Sequence, residues 1–448
     1  MTAPESPPAA AAALDPAALL KDRKYLVLLF FGALIGVPAA TMAYFFLKVV
    51  AECQHYVFTT LPQNLGFSSA PVWWPVPLLA LTGLLVALSI QYLPGTSGHK
   101  PAAGFVAGGP VMPVELPGIT AAAFATLVGG VVLGPEAPLI AMGSGLGVLV
   151  VHLVKKDAPQ QAILVIGVAG SFAAVSTLLG SPIVGAFLMM EAAGLGALTG
   201  VILAPGLIAS GVGALIFIGL DSWTGFGTMS LAVPGIPAFT SPTVAEFLWA
   251  IGIGLLAAVV GSAIRHLGVF LQPIVDRGRL WLTPVAGVAI AIAAIVFAQV
   301  TGHGINEVLF SGQDALGPLI TNAAEWTVGA LVLLVVCKGL AYGISLSCFR
   351  GGPTFPGMFI GAAMGMALSH LPGLPMIAGV AMGIGAMTVV MLGGMPLTSV
   401  VLTVVFLSAD GLALTPLIII AVVVAYVASA RFAPVIPAEA PAPAAAPA

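Results

Sequence analysis

Apolar runs dominate this chain and polar residues punctuate it. Hydrophobic stretches cover roughly residues 25–50, 71–93, 117–154, 161–220, 246–301, 327–349 and 357–430. About 20 apolar residues cross a bilayer as a helix, so these runs predict well over ten membrane helices. Several are too short, or too broken by Gly and Pro, to span simply. In lipid such breaks are tolerated where they line a cavity or pack inside protein. Two breaks share one spacing, Gly-Pro-x-x-Pro with glycines five and nine residues after the second proline. The first copy is Gly134-Pro135-Glu136-Ala137-Pro138 with Gly143 and Gly147. The second is Gly352-Pro353-Thr354-Phe355-Pro356 with Gly361 and Gly365, 218 residues later.

Each copy predicts an irregular stretch opening directly into an apolar helix. The repeat continues beyond them. Gly180-Ser181-Pro182 precedes a helix ending near Glu191, and Gly394-Met395-Pro396 precedes one ending near Phe406, at an offset of 214. Broken helices at matching positions of two halves point to a transporter's substrate site. The expected organisation is a cytoplasmic disordered tail 1–24, a first membrane repeat 25–220, a linker 221–245, a second repeat 246–432 and a disordered tail 433–448. The fold class is therefore all-α polytopic membrane protein, built as two repeats with broken helices.

Composition sharpens this. Sixty per cent of residues are hydrophobic and 6 % charged, against about a quarter charged in soluble domains. The net charge of −3 gives no reason to expect a nucleic-acid partner. Cys53, Cys337 and Cys348 have no metal-ligand spacing and read as packing residues, and the six histidines are scattered, so neither metal nor other cofactor is expected and the chain does not read as an enzyme. Lys21, Arg23 and Lys24 precede the first apolar run, which predicts a cytoplasmic N-terminus in a multi-pass cell-membrane protein. The N-terminal stretch has no signal-peptide pattern.

Candidate chemistry concentrates at the breaks. A helix start presents unpaired N–H groups and a positive dipole end, which bind anions. Glu136 stands at such a start in a stretch otherwise without charge. A charge at bilayer depth costs roughly 2.5–3.5 kcal/mol or more, so it is read as functional. The dipole favours its ionised form and desolvation its neutral form, leaving a group able to titrate. Thr354 and Phe355 begin the second copy, without a carboxylate, and offer main-chain N–H groups. Ser97 offers a hydroxyl in a third break, Pro94-Gly95-Thr96-Ser97-Gly98. Structural alternatives stand beside each: an N-cap glutamate, a tight helix-packing turn, a common Ser-Gly turn. Lys338 and Arg350 flank 339–349; they raise the positive potential near an anion entrance, or they snorkel or pair with a buried acid such as Glu191.

These residues resemble the CLC family of chloride channels and chloride/proton antiporters. Gly129 to Pro138 is similar to its Gly-Lys/Arg-Glu-Gly-Pro signature, Pro182 to Glu191 to the helix that follows, Gly351 to Pro356 to its Gly-x-Phe-x-Pro region, and Ser97-Gly98 falls at its Gly-Ser-Gly-Ile-Pro element. The resemblance covers roughly 25–430. It implies that the two repeats are inverted in topology, with broken, tilted helices, and that the protein is a homodimer with one anion pore per subunit between the two halves. It also implies anion contacts from Ser97, Gly352, Thr354 and Phe355, and an outer gate, Glu136, that blocks the pore when ionised. Glu191 matches the first of two family glutamates on an inner proton path.

The chain departs from the pattern at five places. Pro135 replaces a basic residue, Ala137 a glycine, and Ala192 the second glutamate. His99-Lys100-Pro101 adds a residue after Ser97, and the pore tyrosine of the last helix has no clear counterpart, Tyr426 lying too early. Serine at 97 favours the chloride branch over the fluoride exporters. The expected function is chloride transport, with nitrate or bromide as other substrates, by chloride/proton antiport gated at Glu136. Alternatives are a passive pH-sensitive chloride channel, a secondary transporter of other small anions, and a non-transporting scaffold. A scaffold has no need of a carboxylate at a broken helix, and an organic-anion carrier calls for arginines that the motif helices lack.

Overall fold

The computed structural model describes residues 21–105, 109–192, 194, 199–225, 239, 241–408 and 411–434. Most of the two expected tails and of the 221–245 linker lie outside the described residues. Within them the regular elements are helical, apart from one two-residue bridge described below. Among the described residues nine helices are long and apolar enough to cross a membrane, and five more are apolar but shorter.

The helices are α1 (Arg23–His55), α2 (Pro75–Tyr92), α3 (Leu116–Val128), α4 (Glu136–Val154), α5 (Gln160–Leu179), α6 (Pro182–Ala192), α7 (Thr199–Thr224), α8 (Val244–Arg277), α9 (Arg279–Thr301), α10 (Gln313–Thr321), α11 (Val328–Cys348), α12 (Thr354–Leu368), α13 (Met376–Met391), α14 (Pro396–Phe406) and α15 (Gly411–Ser429). Both expected breaks are where the spacing puts them. Glu136 is the first residue of α4 and Thr354 the first of α12, again 218 residues apart. The second pair of breaks also opens helices, α6 at Pro182 and α14 at Pro396. Gly180 ends α5 in the left-handed region at φ 58°, and Ser181 Oγ accepts from Val184 N at 3.4 Å to start α6.

Two compact units are distinguishable. The first comprises Met1–Ala51, Val106–Thr120 and Pro138–Leu231; the second comprises Glu52–Phe105, Ala121–Ala137 and Ala232–Ala448. In the first, α5 is buried on every side from Val165 to Leu179 and packs on α7. In the second, α13 is buried from Ile377 to Met391 and packs on α12.

The motif glycines explain how these central helices approach. A Cβ on Gly143 or Gly147 of α4 would strike the α5 main chain at Gly170 or Ile166. Likewise a Cβ on Gly361 or Gly365 of α12 would strike the α13 main chain at Gly383 or Gly379. Small residues four apart form one stripe on a helix face and let backbones touch. Lipid competes for apolar side chains, so this close packing is what holds membrane helices together. The same device, at the same distance from the break, serves each copy inside its own unit.

Candidate anion site

The residues that meet at this site all belong to the second unit, whereas Glu191 belongs to the first. Gly134 and Gly352, the leading glycines of the two copies, form an isolated antiparallel bridge. Gly134 N donates to Gly352 O at 2.8 Å, and Gly352 N donates to Gly134 O at 2.6 Å. Two residues beyond each glycine a helix starts. The bridge thereby sets Glu136, heading α4, beside Thr354 and Phe355, heading α12.

The Glu136 carboxylate crosses to the second copy. Its Oε1 accepts from the Phe355 main-chain N–H at 3.1 Å. Side chain and site are both inaccessible: Glu136 is 0 % exposed, Thr354 and Phe355 1 % each. A Cβ on Gly352 would collide with the carboxylate, as would one on Gly134, so glycine at both positions makes the room the side chain occupies. A helix start with free N–H groups favours a negative charge. Here a side chain from the first copy supplies a carboxyl oxygen to the helix start of the second.

Two buried hydroxyls belong to the same unit. Thr354 Oγ1 and Ser97 Oγ are buried and have no hydrogen-bond partner, as is the second carboxylate oxygen of Glu136. Ser97 is 1 % exposed and lies in a distorted turn, with Gly95 at φ 75°, Thr96 at 50°, Ser97 itself at 58° and Gly98 at 88°. Left-handed backbone at two consecutive non-glycine residues is costly and persists where surrounding structure over-determines it. That structure is visible. Arg350 Nη2 donates to Thr96 O at 3.2 Å, and Arg350 N donates to Thr126 Oγ1 at 3.4 Å. On the other side Lys100 pairs with Asp276, at 3.1 Å, which also binds Arg279 at 2.6 Å. Arg350 thus links the Ser97 turn to the residues just before Gly352, and Lys100, from the added His99-Lys100-Pro101 stretch, ties it to the end of α8.

Of the residues singled out in sequence, Glu136, Gly352, Thr354 and Phe355 come together, and Ser97 is joined to them through Arg350. Glu191 closes α6 in the first unit, half-buried. Lys338 is fully buried, which overturns the snorkelling reading; main-chain carbonyl oxygens accept from its ammonium, and the acid within its electrostatic reach is Glu307 rather than Glu191. Tyr426 lies in α15, its ring against Gly394 ahead of α14.

Sequence reasoning passed over Tyr342. Its hydroxyl, 0 % exposed, donates to Pro353 O at 2.8 Å and so holds the peptide that enters α12. A lone tyrosine in an apolar run, eleven residues before Pro353 of the second break, was the available signal.

Known proteins agree with this architecture. A family model described as voltage gated chloride channel matches residues 100–430. A protein named "Putative ion-transport protein YfeO", of Escherichia coli O7:K1 (strain IAI39 / ExPEC), is 27 % identical over 365 residues, covering 79 % of this chain and 82 % of that protein. Its counterpart in Escherichia fergusonii (strain ATCC 35469) is 27 % identical over 359 residues with the same coverage. Among solved structures, a slow cyanobacterial Cl-/H+ antiporter superposes with a TM-score of 0.70 at 19 % identity, covering 90 % of this chain and 97 % of that one. A CLC-type fluoride/proton antiporter superposes with a TM-score of 0.67 at 19 % identity, covering 91 % and 96 %. At such identity these likenesses establish the fold, and chloride and fluoride transporters share it. The family match spans well over half of the chain, and with it the fold and both helix starts, so the chain belongs to the CLC family of chloride channels and transporters.

Proposed function

We propose that the protein moves chloride across the cell membrane and exchanges it for protons, with Glu136 as gate and proton acceptor. The observation that carries this is the Glu136 carboxylate resting on the Phe355 N–H at the start of α12. A carboxylate there imitates a bound anion. Ionised, it fills the seat; protonated, it gives up most of its attraction to the dipole and yields to chloride. One group thus alternates between holding a proton and admitting an anion, which is the requirement for coupled exchange. Thr354 and Phe355 supply the donors of the seat, their main-chain N–H groups and the Thr354 hydroxyl, while Gly352, whose own N–H is held by Gly134 O, lines the seat and leaves the room for it. Ser97 supplies a further neutral hydroxyl. Neutral donors coordinate without a fixed charge and let the ion leave again. The protein is taken to work as a homodimer of two-repeat subunits, residues 25–220 and 246–432, with the N-terminus in the cytoplasm.

A pH-sensitive chloride channel is the second reading, favoured by Ala192 beside Glu191, which removes an inner carboxylate. Proteoliposomes under an imposed chloride gradient separate the two. Exchange should drive protons uphill, and Glu191→Gln should slow proton movement more than chloride movement if that acid relays protons. Proton flux absent under every gradient leaves the channel. Selectivity tests Ser97: Ser97→Ala and Ser97→Pro should reorder chloride, nitrate and fluoride more than they change total flux. An unaltered order in both variants would remove the hydroxyl from the anion path.

A further inference from the structure

A second buried charge in the same unit is unaccounted for by anion binding. Lys338 of α11 is 0 % exposed. Its ammonium donates to four successive main-chain carbonyls, those of Glu307 at 2.9 Å, Val308 at 3.1 Å, Leu309 at 3.1 Å and Phe310 at 3.3 Å. It also lies 4.4 Å from the centre of the Phe359 ring. An ammonium has three protons, so four carbonyls and an aromatic face use its capacity fully. No proton is left to coordinate a transported ion.

What the ammonium gathers is informative. Phe310, at φ 59°, donates its N–H to Gly130 O at 2.9 Å, and its ring meets Phe58 edge-on at 4.8 Å. Gly130 opens the run leading to Gly134 and Glu136. Phe359 lies one turn beyond Phe355 on α12, and neighbours four apart share a helix face. Gly312, just after the caged segment, has no room for a Cβ against that same Phe359 ring. On α11 itself, Tyr342 lies four residues after Lys338 and holds Pro353 O. One face of α11 thus grips the approach to each motif copy.

We propose that Lys338 is a positioning residue for the anion seat, holding the 307–310 segment against both Gly130 and Phe359 so that the α4 and α12 starts keep their spacing. This rests on reading the α12 start as an anion seat. The ammonium acts through Phe359 and Gly130, never by touching the ion. Loosening the clamp should lower the affinity of the seat, since Phe355 N–H and the Gly134–Gly352 bridge lose their common support. The rate of passage through an occupied site should change less.

The test is chloride flux in proteoliposomes of Glu136→Gln protein, where no carboxylate competes, alone and combined with Lys338→Met or Phe359→Leu. Both combinations should raise the chloride concentration for half-maximal flux about fivefold or more, with maximal flux per folded protein changed less than about twofold, the pattern of lost binding rather than lost turnover. Phe359→Leu keeps the carbonyl cage and decides the matter if Lys338→Met fails to fold. Unchanged half-saturation in Phe359→Leu, on an active Glu136→Gln background, overturns the role of Lys338 alone. A Glu136→Gln protein that passes no chloride at all overturns the anion seat as well.

Discussion

The Glu136→Gln protein should pass anions at a rate that does not vary with pH, and should carry no protons. The amide keeps the size of the side chain and removes its charge, so its hold on the Phe355 N–H becomes that of a neutral group. Under the proposed gating, wild-type flux should rise as pH falls, because protonation would turn a seat-filling anion into a neutral acid that chloride can displace. The glutamine stays on that neutral arm at every pH. A positioned acid or base contributes about 10²–10⁴-fold to proton transfer, so proton flux should fall at least a hundredfold. Anion flux should stay within a few-fold of the wild-type value at low pH. Paired chloride and proton recordings on proteoliposomes read both quantities. Persistent proton movement in the variant would remove Glu136 from the proton path, whatever its role in gating.

Filling the glycine stripe should do the largest structural damage. Gly361→Val sets a branched side chain where a Cβ alone would already strike Gly383 O, with Met387 Cβ at 2.9 Å behind it. Both helices are buried on all sides there, so neither can shift without disturbing a third. Overpacking of this kind costs about 1–3 kcal/mol, occasionally more. Gly361→Val should therefore lower the thermal midpoint in detergent by several degrees, Gly361→Ala by less. Gly143→Val should reproduce the loss at the α4–α5 contact, where the Cβ meets Gly170 O. Gly252 is the control: it lies inside α8 with open space around it, and alanine there should be neutral or slightly stabilising. Equal midpoints for Gly252→Ala and Gly361→Val would show that the stripe does not carry the packing.

The two effects are linked through α12. The helix that the stripe seats against α13 is the helix whose first turn holds the Glu136 carboxylate. Gly361→Val should thus disturb flux as well as stability, even in the fraction that remains folded.

Much of this was legible in the residues because it is local. Pro135 and Pro353, with glycines before and after them, break the chain and start helices within a few positions, and both starts are where the spacing puts them. A four-residue interval between glycines is a helix-face pattern, and both stripes turned out to be close contacts. Glu136 was conspicuous as a charge in an apolar run. Burial was not legible. In a membrane chain lipid and core are equally apolar, so the sequences of α5 and α13, buried all round, look like those of lipid-facing helices. Nor could composition say that Lys338 would be held by carbonyls. Any buried cation needs oxygen partners, and nothing in residues 307–310, Glu307 included, marks their main-chain carbonyls as those partners.

By itself, then, the sequence determined the helices, the two breaks, their 218-residue relation and the acid at one of them. The tertiary structure decided which groups meet: Gly134 with Gly352, the Glu136 carboxylate with the Phe355 N–H, Arg350 with Thr96, Tyr342 with Pro353. Helix starts and glycine stripes follow from interactions among residues a few positions apart. Those meetings join segments from 11 to 254 residues apart, and which helix N-terminus receives the carboxylate depends on how the chain returns, a choice no local pattern encodes.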